Sequence, residues 1–202
     1  IENGASWHKT SNSQTLLTLA TAKNTKQVVA HILDNQFYNE SSLHGEGHLN
    51  LFHYAAQNSD ASVIKLIFER GLYKKVQEKI DRQDSDGYTP LLYALETNPN
   101  VEVTQFLIEK LSDDFCAWKR TTDGRTGLHC AARNKNPEVL EYVLKERVFN
   151  DELYSEDKMG WDILAHAATS QTPEMLNRLV EDYGFDKNKL YKTKKRIKKS
   201  EK

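Results

Sequence analysis

Seven histidines and two cysteines are the side chains of this 202-residue chain best suited to metal binding or nucleophilic chemistry. His44 and His48 stand four apart around Gly45-Glu46-Gly47. A zinc hydrolase of the His-Glu-x-x-His kind needs that spacing on a helix, with glutamate directly after the first histidine. Two glycines in a loop remove both conditions. Cys116 and Cys130 show no Cys-x-x-Cys spacing and are too few for a disulfide scaffold, which points to a reducing compartment, the cytoplasm. Cys130 reads as a small apolar core group, Cys116 as a thiol in a connection. No glycine-rich phosphate loop and no defensible nucleophile–histidine–acid set is present, so we expect no catalytic residue, no metal and no cofactor in this chain.

The elements that must position these residues emerge from self-similarity. Five segments line up: Thr15 to Ala20, Asn50 to Ala55, Thr89 to Ala94, Thr126 to Ala131 and Asp162 to Ala167, with starts 35, 39, 37 and 36 residues apart. Each is followed by an apolar cluster at i, i+3, i+4 spacing, such as Val63-Ile64 with Leu66-Ile67, or Val139-Leu140 with Val143-Leu144. That spacing marks one face of a helix. A unit of this length holds two short helices and a hairpin-like connection, and one pair alone cannot bury its apolar face. Threonine at the head of the segment caps a helix, and the proline of Thr89-Pro90 suits a first helical turn. Doubled alanines, as in Ala55-Ala56 and Ala131-Ala132, let helices approach closely.

Thr89-Pro-Leu-Leu-Tyr-Ala94 and Thr126-Gly-Leu-His-Cys-Ala131 resemble the ankyrin repeat, and Asp86-Gly87, Asp123-Gly124 and Met159-Gly160 supply the glycine that precedes its motif. The resemblance implies an all-α solenoid of five repeats, near residues 11–45, 46–83, 84–120, 121–156 and 157–186. Residues 187–202 follow as a basic tail or linker. His53 and His129 take the motif's histidine position, which in this family hydrogen-bonds the turn; His166, one residue later, reads as packing. The first repeat has Ser13 and Thr18 where the pattern has glycine and histidine, as terminal repeats do. The second has His48 for glycine and Asn50 for threonine, which leaves its turn undetermined; the fifth has Asp162, which still caps. Extra length between repeats predicts long fingers, with a helical turn over 72–80 and apolar anchors at Phe115, Trp118, Phe149, Leu153 and Tyr154.

Partners of ankyrin repeats lie along the concave face, against fingertips and the exposed side of the first helices. By that resemblance the candidate partner-binding residues are Tyr88 and Glu96 of the third repeat, Asp123, Arg125, Arg133 and Asn134 of the fourth, and Met159 and Trp161 of the fifth. Aromatic residues and arginine carry much interface energy because they bury large areas at low entropic cost. The two arginines have other readings, as ordinary solvated surface or as salt bridges to Asp123 and Glu96, Tyr88 as packing against the second repeat, and Trp161 as packing against the finger of the fourth repeat.

Charge divides the chain. Residues 187–202 carry eight Lys and one Arg against one Glu, leaving nineteen basic and twenty-eight acidic groups before them, a body of net −9. An acidic body repels phosphate backbones and suits a partner with a basic patch. For the tail three readings stand open: a linker to a further domain, a nuclear-import signal, or a patch for acidic lipid or RNA. No run of about 18 apolar residues exists for a membrane helix. The absence of an initiator methionine or signal pattern leads us to expect a piece of a longer protein. The function expected is a non-catalytic interaction module. The alternative is a regulatory or substrate-presenting domain of an enzyme, for example a bacterial effector delivered into the host cytosol, whose catalytic part lies elsewhere; the resemblance fits both eukaryotic adaptors and effectors of intracellular bacteria.

Overall fold

The computed structural model describes residues 14–72, 82–110, 120–146, 152–186 and 188. The expected helical turn over 72–80, the anchors Phe115, Trp118 and Phe149, Cys116 and the basic tail lie outside them, save Leu72, which is buried, and Asn188.

Among the described residues the helices come in pairs: α1 Leu16–Lys23 with α2 Lys26–Asp34, α3 Leu51–Ala56 with α4 Ala61–Glu69, α5 Pro90–Thr97 with α6 Val101–Lys110, α7 Gly127–Arg133 with α8 Pro137–Lys145, and α9 Ile163–Ala167 with α10 Pro173–Glu181. Two 3-10 turns, Glu40–Leu43 and Glu46–His48, precede α3, and the described residues contain no strand. The first helices stack as one layer, α1 on α3, α3 on α5, α5 on α7 and α7 on α9. Second helices form the other layer through α2–α4, α4–α6 and α6–α8 contacts. One continuous core runs between the layers, from Leu17 and Val29 through Ile64, Leu95 and Leu140 to Leu164 and Leu179. No described helix is long and apolar enough to cross a membrane.

Capping explains where the first helices begin. Thr15, Asn50, Thr89, Thr126 and Asp162 each accept a hydrogen bond from a backbone N–H of the first turn, satisfying a donor the helix leaves open. In the degenerate first repeat Thr18 does what histidine does elsewhere: its hydroxyl accepts from Thr15 N–H at 2.8 Å.

Fingers precede the capped helices and close with similar bonds, Gly45 N–H to Leu49 O at 2.8 Å, Asp84 to Tyr88 at 2.8 Å, Thr121 to Arg125 at 3.0 Å and Asp157 to Trp161 at 2.9 Å. Neighbouring fingers are tied edge to edge, with Ser85 N–H donating to Gly47 O, Thr122 to Asp86 O and Lys158 to Asp123 O at 2.7–3.0 Å. This close approach fixes the glycine. Gly87 has φ +81°, and a Cβ there would stand 2.8 Å from Thr122 N and 3.0 Å from the Thr121 backbone. The second finger lacks glycine at that place yet turns the same way, with His48 itself held at φ +63°.

A second device ties the end of each first helix to the one before it. The amide of Asn58 donates to Thr21 O and Asn24 O, Asn98 to Ala56 O and Asn58 O, Asn134 to Leu95 O and Asn98 O, and Gln171 to Ala132 O and Asn134 O, at 2.6–3.2 Å. Each amide closes carbonyls that the preceding first helix leaves open at its C-terminus. Asn134→Ala removes the partner of two buried carbonyls at once. It should cost about 2 kcal/mol, read as a lowered urea midpoint with unchanged helical circular dichroism. A midpoint within the range of a surface substitution would contradict the ladder's role.

Candidate partner-binding face

Position decides which of the motif histidines can do chemistry. His53 Nδ1 accepts from Asn50 N–H at 3.1 Å, and its Nε2 donates to Tyr88 O of the next finger at 3.1 Å. His129 repeats this with Thr126 N–H at 3.0 Å and Ser155 O at 3.1 Å. Both rings are fully buried, and that burial holds each pKa down at about 4. They are neutral braces with both nitrogens engaged.

Where leucine or alanine replaces that histidine, as at Leu92 and Ala165, the next residue braces the finger instead. Tyr93 donates its hydroxyl to Asp84 Oδ2 at 2.9 Å, and His166 Nε2 lies 2.9 Å from Asp157 Oδ2. The other oxygens of Asp84 and Asp157 accept the N–H groups of their turns, from Asp86 and Tyr88 and from Met159 and Trp161. His166 is therefore more than packing. Burial lowers its pKa, outweighing the hydrogen bond it donates to Asp157. Sequence reasoning missed Tyr93, whose signal was its offset of one from the motif histidine.

Five of the eight candidate binding residues converge on one network between the third and fourth repeats. Glu96 is its hub. Tyr88 donates its hydroxyl to Glu96 Oε2 at 2.5 Å, Arg125 reaches both Glu96 oxygens at 2.8 and 3.0 Å, and Arg133 Nε donates to Oε1 at 2.7 Å. Arg125 also donates to Tyr88 Oη at 2.6 Å and, through Nε, to Asp123 Oδ2 at 2.8 Å, while its guanidinium stands 5.5 Å from the Tyr88 ring centroid. Thr121 donates to Asp123 from the other side.

Electrostatics follow from this wiring. Burial opposes ionisation of Glu96, but hydrogen bonds from Tyr88 and Arg133 and the charges of both arginines outweigh it, so its pKa is lowered. Burial likewise opposes the Arg125 charge, yet Asp123 and Glu96 hold its pKa above the ordinary value. Burial and the hydrogen bond to Glu96 raise the Tyr88 phenol. Cys130 lies against this hub, fully buried, and burial pushes its thiol pKa up. An inert thiol follows, because the thiolate is the reactive form.

The network makes Arg125 and Glu96 inward-facing, with side chains 14% and 13% exposed, whereas Arg133 keeps 36% of its side chain in solvent and is bonded through Nε. Both arginines thus take the salt-bridge reading. Asn134 is placed away from any partner: it is buried and its amide spans to the preceding repeat. Trp161 is half-buried, its ring 5.4 Å from that of His166 in its own repeat. Met159, at the tip of the fifth finger, is 69% exposed. Met159 and Trp161 offer surface outside the network, and Asp123 and Arg133 keep 47% and 36% of their side chains in solvent within it.

Among the described residues no group of three or more His, Cys, Asp or Glu side chains could hold a metal ion. His48, of the His44–His48 pair, accepts at Nδ1 from Arg82 at 3.1 Å, and its neighbour in that pair bridges to Asn50.

A family model of ankyrin repeats, three copies long, matches residues 52–151 and again residues 111–190. No curated protein matches the chain.

Proposed function

The chain belongs to the ankyrin-repeat family, whose repeats generally mediate protein–protein interaction, and from that premise we propose that it is an interaction module that binds a partner protein along its concave face. The observation that carries this reading is Met159, a large apolar side chain 69% exposed at a fingertip, next but one to the half-buried indole of Trp161. Isolated exposed apolar residues are ordinary, but an apolar tip beside an aromatic and a charged, pre-ordered network has the anatomy of an interface anchor with its polar rim. Arg133, held by Glu96, belongs to that rim. Ordering the guanidinium beforehand lowers the entropy lost on binding.

The partner this face suits presents an apolar side chain for the Met159–Trp161 tip and a basic patch, since the body before residue 187 carries net −9. The module would recruit that partner to whatever the parent chain carries, in the cytoplasm.

A photo-crosslinking amino acid at Met159 tests the placement, with the same group at Glu138 on the exposed side of α8 as the comparison. The expected result is one protein adduct formed from position 159 in cell lysate and none from position 138. An adduct formed equally from both would remove the concave face from the account.

A further inference from the structure

The hydrogen bonds that reach the Glu96 carboxylate fill it. Oε1 accepts from Arg125 Nη1 at 2.8 Å and from Arg133 Nε at 2.7 Å. Oε2 accepts from the Tyr88 hydroxyl at 2.5 Å and from the same Arg125 Nη1 at 3.0 Å. Two carboxylate oxygens offer about four lone-pair positions. Glu96 therefore holds Arg133 by Nε and has no capacity left for the rest of its guanidinium. Asp123, the other carboxylate of the network, is taken by Arg125 and Thr121. Among the described residues nothing meets Nη1 or Nη2 of Arg133, whose side chain is 36% exposed.

The apolar tip belongs to the next repeat. Helix α7, which ends on Arg133, stacks on α9, which carries His166. Burial lowers the His166 pKa and the nearby charge of Arg133 adds to that. The His166 ring stands 5.4 Å from Trp161, and its Nε2 is bonded to Asp157, whose other oxygen accepts the N–H groups of Met159 and Trp161. One side chain, His166, thus joins the surroundings of the open guanidinium to the apolar tip.

Resting on the concave-face reading, we infer that this surface recognises an acidic side chain next to an apolar one. A carboxylate of the partner protein accepts from the two Nη groups of Arg133, and the neighbouring apolar side chain packs on Met159 and Trp161. Guanidinium and carboxylate are planar and pair through two parallel N–H···O bonds. Glu96 holds the guanidinium in place beforehand, which reduces the ordering that binding requires. A carboxylate also matches the charge, one negative group for one open guanidinium. Phosphate would bring nearly twice that charge beside Asp123, 47% exposed, on a body of net −9. The acidic residue stands within the basic patch that this body favours, so the docking segment is mixed in charge around an apolar anchor.

Random dodecapeptides displayed on phage and selected on the immobilised full chain supply the probes. The enriched peptides should place Asp or Glu within a few residues of a large apolar side chain. Changing that acid to its amide in a synthetic peptide should weaken binding about tenfold. Arg133→Gln should weaken the acidic peptide to the same extent and leave the amide peptide unaffected. The peptide change probes the carboxylate without disturbing the network, and circular dichroism checks that the protein variants are folded. Enriched peptides that lack an acid yet lose binding to Met159→Glu would overturn this inference and leave the concave-face reading standing. Tighter binding with phosphoserine in place of the acid would do the same. Peptides indifferent to both Arg133→Gln and Met159→Glu would overturn both. An empty selection would overturn the carboxylate inference, since a site ordered in advance should hold a short segment.

Discussion

Between pH 7.5 and 5 the protein should lose stability steeply. The cause is His53 and His129, which are fully buried and whose pKa falls from 6.5 to about 4 on folding. The unfolded chain takes up protons on these rings as the pH drops below 6.5, while the folded chain does not until near 4. Folded pKa values below the unfolded ones mean that this stability is complete above about pH 6.5 and is lost as the pH falls toward 4. Each ring accounts for roughly 2 kcal/mol by pH 5, about 4 kcal/mol for the pair. The lowered pKa of His166 acts in the same direction. Glu96 and Asp123, whose pKa values are also lowered, add their losses only at more acidic pH. Urea titrations at pH 7.5 and 5.0 measure the difference, and His53→Gln should remove about half of it. Equal midpoints at the two pH values would mean that the rings are not held neutral.

Removing the hub of the charged network should be the costliest single change on the candidate face. Glu96→Gln keeps the shape but leaves Arg125, 14% exposed, with Asp123 as its remaining carboxylate, and deprives Arg133 and Tyr88 of theirs. A buried guanidinium stripped of a partner costs far more than the intact pair contributes, so the loss should be about 3 kcal/mol. Replacing both partners distinguishes the two quantities. Glu96→Leu with Arg125→Met removes charge and counter-charge together and should recover most of that loss, giving a coupling energy well above the ~0.5 kcal/mol typical of exposed pairs. A Glu96→Gln variant as stable as the parent chain would mean that the network is a solvated surface cluster.

The fold could be read in the sequence because its signals repeat: a capping residue, a small residue after it and an apolar cluster, five times in register. The histidine braces were legible for the same reason. The pairing of the two arginines with Glu96 was among the readings as well, but other contacts that cross from one repeat to the next escaped. Asn134 follows a first helix where local periodicity puts an exposed residue, and only the neighbouring Leu95 and Asn98 carbonyls make it interior. A constant offset was nonetheless present in the chain, since Asn58, Asn98 and Asn134 each follow their helix cap by eight or nine residues. Tyr88, Glu96, Asp123, Arg125 and Arg133 were found as a group, but spacing could not say that they satisfy one another. Met159 had no pattern behind it beyond its place at a fingertip. Recognition residues vary from repeat to repeat while scaffold residues recur, so the fold leaves the partner's identity to the site.

Retention of a partner by paired variants tests the central claim most directly. Immobilised protein would be compared with Arg133→Glu combined with Met159→Glu, and with Glu138→Lys on the outer side of α8, all three checked by circular dichroism to be folded. The account predicts a protein retained by the parent chain and by Glu138→Lys, and reduced more than tenfold by the double variant. Equal retention by all three would contradict a concave-face interaction module.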